Sequence, residues 1–231
     1  MNHLPILTAV VPVLILSAAS GAVDLQLATD GQTMYRIVTS ADASPVDAYA
    51  ANILGDYLEQ ITGAELPQVT PHVTSTDHPS IFVGLSTPAL THLGPDPLVG
   101  LGDQEHVTRS VGQDIFLYGK GLHGNLYAVM EFLENSLGWR WYTVYSKPVI
   151  PSTPTVTLAP FSRKRGFSFS SREVALRHVP EFYYQNGLNM GFDRRWKQLR
   201  TYNTKIPEGI ISFIPNDKFV HGSFAYIPPT P

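Results

Sequence analysis

Three glycines, Gly119, Gly121 and Gly124, stand in the pattern Gly-x-Gly-x-x-Gly within DIFLYGKGLHGNLYAVMEF, between a strand-like run and a helix-like one. The chemistry this spacing could do is phosphate binding, because such glycines let backbone N–H groups approach a pyrophosphate at the start of a helix. A dinucleotide site also needs an acid about twenty residues further on to hold the ribose. Trp141 to Ser146 occupies that place and contains no Asp or Glu. The strand before the run also reads as antiparallel to its neighbour, since only Gly112 and Gln113 separate the two, whereas a phosphate cradle belongs to a parallel crossover unit. The expectation is that no nucleotide or other cofactor binds here and that the glycines serve the fold. Gly119 and Gly121 would supply backbone angles closed to other residues, and Gly124 would let the helix pack close to the sheet.

Other chemistries have less to stand on. The eight histidines are scattered, with no HExxH and no pair three or four apart, so no metal site is expected. There are no cysteines, which removes disulfides, thiolate ligands and a cysteine nucleophile together. No Gly-x-Ser-x-Gly elbow occurs. Trp139, Trp141 and Tyr142 could form a sugar platform, but alternation puts Trp139 and Trp141 on one strand face, which argues for core.

The elements that must position these residues follow from pattern. The chain has 231 residues, 43% apolar and only 15% charged, where an average soluble domain has roughly 25%. It is therefore globular, long enough for one medium domain and part of a second. Its net charge is -3 with no run of either sign, so nucleic acid is not an expected partner. The apolar stretch Leu4 to Leu16, followed by Ser20 and Ala22, has the layout of a secretory signal cleaved after Ala22, leaving no stable membrane span. MYRIVT, Met34 to Thr39, alternates as a strand. A helix follows: Ser44 caps it, Pro45 and Asp47 suit its first turn, Ala51, Leu54, Leu58 and Ile61 make its stripe, and Gly63 ends it. LPQVT, SIFVG, HVTRSV and DIFLYG read as short strands, the last two joined as a hairpin, with an irregular loop from Gly84 to Asp103. The second helix is predicted from about Leu122 to Leu137, burying Leu126, Val129, Met130, Leu133 and Leu137 and turning Glu131 and Glu134 outward. WRWYT and Phe167 to Phe169 read as strands, and the prolines between Lys147 and Phe161 restrict that stretch to edge strands or linker.

GKGLHGNLYAVMEFLENSLGWRWYT, with KPVIP and FSFSSREV, resembles the N-terminal domain that precedes the catalytic barrel in alpha-glucuronidases and beta-N-acetylhexosaminidases. It is most similar to a largely uncharacterised bacterial family assigned to polysaccharide degradation. The match is carried by Leu137, Gly138, Arg140, Trp141 and Arg172, while His123 replaces that family's usual basic residue before Gly124. The resemblance spans about Thr33 to Arg172 and thins beyond it. It implies an α+β domain, a mostly antiparallel sheet with helices packed on it, that holds no catalytic acids and is followed by the start of a (β/α) barrel.

Three segments are therefore expected: a signal peptide at 1–22, an accessory domain at 23–160, and the incomplete start of a barrel at 161–231. Glu173, Glu181, Asp193, Glu208 and Asp217 show no spacing that recommends a hydrolytic pair, so no catalytic residue is assigned within the chain. The resemblance offers Arg172, Asn189 and His221 as substrate-binding candidates. Arg172 would reach a sugar hydroxyl or carboxylate with its planar fork of donors. Asn189 and His221 sit in NGLN and HGSF, which are similar to early barrel loops of that family. Oligo- or polysaccharide would be the partner, met through the barrel. The alternative is a stand-alone carbohydrate-binding or interaction module.

Overall fold

The computed structural model describes residues 23–70, 78–143, 145–169, 172, 185 and 186, with the backbone of 190–191 and 212–213. Residues 1–22, expected to be a secretory signal, lie outside the described residues, as do Asn189, His221, Trp196 and the five acids named after residue 172. In chain order the elements are β1 (Leu25–Ala28), β2 (Arg36–Thr39), α1 (Pro45–Thr62), β3 (Gln68–Val69), β4 (Ser80–Val83), α2 (Thr87–Leu93), β5 (His106–Val111), β6 (Asp114–Gly119), α3 (Gly124–Leu137), β7 (Val156–Leu158), β8 (Ser162–Arg165), β9 (Met190–Gly191) and β10 (Ser212–Phe213).

Helix α1 forms where its local signals place it. The Ser44 hydroxyl accepts the Asp47 N–H at 3.2 Å while the Asp47 carboxylate accepts the Ser44 N–H at 3.2 Å, a reciprocal capping box. At the far end Gly63 takes the left-handed conformation, φ +79°. Ala51, Leu54, Leu58 and Ile61 are all buried.

Six strands make one sheet in the order β3-β2-β4-β6-β5-β8. β2 runs parallel to β3 and β4, and β4 parallel to β6. β5 is antiparallel to both β6 and β8. The sheet is mixed, which corrects the expectation of a mostly antiparallel one. The physical reason lies in burial: β4 is buried at all four residues, SIFV, and the IFLY of β6 at every position, the unbroken apolar runs of strands covered on two faces. Ile37, Ile81, Val83, Ile115 and Leu117 face one core with α1 and α3, joined by Leu25 and Leu27 of β1. Val38, Phe82, Phe116 and Tyr118 face another, under Ala89 of α2 and Leu101. Phe82 and Phe116 stack there across the parallel pair, centroids 4.9 Å apart. β1 and β7 pair separately, as do the two-residue strands β9 and β10.

Several local expectations change. The loop from Gly84 onward contains α2, seven residues long, whose Ser86 hydroxyl accepts the Ala89 N–H and whose first turn carries Pro88. WRWYT is no strand; Arg140 makes a single antiparallel bridge to Val149, and Trp139 drops into the core against Tyr57. Phe167 to Phe169 is no strand either. The pairing falls instead on β8, just past the boundary expected near Pro160, and β8 closes the sheet beside β5. Helix α3 starts at Gly124 rather than Leu122 and is buried on nearly every side up to Leu133. Glu131 is consequently not on a solvent face; it is 8% exposed, because β5 covers the side of α3 that the amphipathic pattern gave to water.

Candidate functional site

The glycine run is decided by contact. An added Cβ on Gly119 would lie 2.6 Å from the carbonyl carbon of Gly124, and one on Gly124 would overlap the carbonyl carbon of Gly119. Backbone rests directly on backbone where β6 turns into α3. Gly121 alone of the three has the left-handed angle, φ +76°; Gly119 is required for close approach rather than for an unusual φ. β6 is parallel to β4 on one side and antiparallel to β5 on the other, so the directional argument against a cradle holds for only one neighbour. Three amides of the run are engaged within the chain. Gly119 N–H donates to the Asn125 side chain at 2.9 Å, Lys120 N–H to the Glu105 carbonyl at 2.9 Å, and Gly124 N–H to the Gly121 carbonyl at 3.3 Å. The other end of Asn125 donates to the Asp47 carboxylate at 2.8 Å, tying the start of α3 to the start of α1. His123 is buried and lies parallel to the Tyr127 ring, centroids 5.6 Å apart.

A cleft of about 470 Å³ opens on the other side of α3. Tyr127, Glu131 and Asn135, each one helical turn from the next, supply one wall, and His106 of β5 with Arg165 of β8 and Phe167 supply the opposite one. Gln185 and Asn186 also line it. Glu131 Oε2 accepts the Thr108 hydroxyl at 2.6 Å, which pins α3 to β5, while Oε1 has a 3.4 Å contact with Asn135 Nδ2. Tyr127 meets Phe167 edge to face at 5.0 Å, and burial raises its phenol pKa against the lowering effect of Arg172.

His106 Nδ1 lies 3.3 Å from the Gln104 carbonyl oxygen, and its ring is buried. Burial holds its pKa below the ordinary 6.5; the Gln104 carbonyl and the carboxylates of Glu131 and Glu105 oppose that shift, and Arg165 adds to it. The unfolded chain thus takes up a proton at higher pH than the folded one. The neutral ring's contribution to stability is complete above the ordinary value and is lost as pH falls through the lower folded value. The urea midpoint should drop as pH goes below about 6.5, and His106→Phe should flatten that part of the profile. Parallel profiles for the two proteins would remove His106 from the acid response.

Of the residues offered by sequence, Arg172 is the described one. Its guanidinium lies 3.7 Å over the Phe167 ring and 5.6 Å over Tyr127, and it donates to Gln104 Oε1 at 2.6 Å and to the Phe169 carbonyl at 2.6 Å. It covers one side of the aromatic pair that lines the cleft. Asn189 and His221 lie outside the described residues. Sequence reading missed Glu131, His106, Asn135 and Arg165. The available signal was the stripe Tyr127, Glu131, Asn135 on one helix face.

No family profile matches the chain, and a search of curated proteins finds no match. Solved structures of similar fold are glycoside hydrolases. The likeness to CpGH84B covers 81% of this chain and 34% of that one at 12% identity, with a TM-score of 0.50. The GH115 4-O-methyl-alpha-glucuronidase BtGH115A matches over 64% of this chain and 19% of its own at 18% identity, TM-score 0.45. A Streptomyces plicatus beta-hexosaminidase matches over 66% and 25% at 14% identity, TM-score 0.42. The chain thus shares an α+β fold with part of CpGH84B, and it spans between 19% and 34% of the length of these three solved chains.

Proposed function

We propose that this chain carries the accessory, non-catalytic α+β domain of an exported protein that acts in polysaccharide degradation. Hydrolysis would be performed by paired carboxylates of a neighbouring (β/α) barrel. The observation that supports this reading most is the fold likeness to one part of the longer CpGH84B chain. The contacts after β8 fit it. Arg172 lies on Phe167 and Tyr127, and Gln185 accepts the Tyr57 hydroxyl at 3.1 Å, so the chain leaving the sheet is held against α3 and α1. In this reading residues 1–22 direct export, the accessory unit expected over 23–160 runs on through β8 to Arg165, and the chain after β8 opens the barrel. Arg172, Asn189 and His221 are its proposed saccharide contacts.

The test is an assay on 4-nitrophenyl glycosides. The chain alone should give no turnover above buffer, turnover should appear when it is produced together with its following coding sequence, and N-terminal sequencing of the exported product should begin at Val23. Turnover by the purified chain alone, or a following sequence without a barrel bearing paired acids, would sink the proposal.

A further inference from the structure

The cleft between α3 and β8 has more polar capacity than the fold uses. Glu131 is buried, yet only its Oε2 has a short partner, Thr108; Oε1 has the 3.4 Å contact with Asn135, a length at which an oxygen has room for a better donor. His106, with Nδ1 directed at a carbonyl, is left with Nε2 as its acceptor in the neutral ring. Donors line the cleft too, the guanidinium of Arg165 across from α3 and the amide of Asn135 on α3 itself. The volume, about 470 Å³, falls in the small-molecule range of about 300–1,000 Å³. A polar cleft with donors and acceptors interleaved selects groups that do both, and the hydroxyl is that group.

Charge narrows the class. An anion would meet Glu131 and Glu134, and a cation would meet Arg165. His123 lies on one face of the Tyr127 ring and Arg172 on one face of Phe167. We infer that this cleft binds a neutral, polyhydroxylated ring, a single sugar unit held through its hydroxyls by Glu131, His106, Asn135 and Arg165. The four proposed contacts lie on β5, α3 and β8, so the inference stands whether or not a barrel follows them.

The experiment is saturation-transfer NMR and calorimetry on the full chain with methyl β-glucoside and N-acetylglucosamine, compared with glucuronate and glucosamine. The neutral sugars should bind in the millimolar range, and Glu131→Gln and Asn135→Ala should each weaken them at least about fivefold. Tyr145→Ala, on an exposed loop, should leave binding unchanged. Asn135 is exposed, so its variant keeps the test available should Glu131→Gln fail to fold. Absence of binding at about 50 mM, preference for glucuronate or glucosamine, or unchanged affinity in the Asn135 variant would each overturn the inference.

Discussion

Gly124→Ala should cost about 3 kcal/mol or more and leave little folded protein. The added methyl meets the carbonyl carbon of Gly119, which belongs to β6, a central strand paired on both sides. A crowded side chain can rotate away; the strand backbone at Gly119, paired with His106 of β5, can move only by giving up that pairing. The matched control is Gly112→Ala, where φ is +58° and nothing lies within 4 Å of the new Cβ. Its cost should be conformational only, about 1–2 kcal/mol. Urea unfolding of the two variants separates the causes, and a Gly124→Ala protein no less stable than the Gly112 variant would show that helix and strand are not locked at this point.

Trp139→Ala should cost about 3–5 kcal/mol. The side chain is 2% exposed and lies against Tyr57 with centroids 5.4 Å apart, where the chain leaves α3. Its Nε1 is buried with no hydrogen-bond partner among the described residues. A buried, unpaired N–H is a penalty the folded state carries, so Trp139→Phe, which keeps a ring beside Tyr57 and deletes that donor, should cost less than half as much as the alanine variant. Thermal unfolding reads both. Equal losses would mean that the indole N–H does have a partner in solution and that its bond, not the ring, supplies the stability.

What could be read from sequence was what is local. Helix α1 was legible because Ser44, Pro45, Asp47 and Gly63 act within a turn of themselves and its stripe repeats at helical spacing. The β5–β6 hairpin was legible because two residues can join only antiparallel neighbours. Strand direction elsewhere was not, because β4 meets β6 across more than thirty positions of sequence and pairing leaves no mark on either strand beyond its apolar run. Helix α2 escaped notice because seven residues with a proline among glycines look like a loop unless Ser86 is recognised as a cap. Glu131 was misplaced for a related reason: a carboxylate on a helix signals water only if nothing covers that side, and Thr108 of β5 does. The cleft draws on α3, β5, β8 and the segment after β8, so only the part written on a single helix could be seen in advance.

The two margins of the main sheet bear on how this domain meets whatever adjoins it. One margin is β3, two residues long; the other is β8, in which Arg163, Lys164 and Arg165 follow one another. A short strand offers too few hydrogen bonds to template another, and three consecutive cations repel a strand of similar kind and require any incoming one to bury charge. Both margins thereby disfavour lateral pairing of this sheet with the sheets of its own copies.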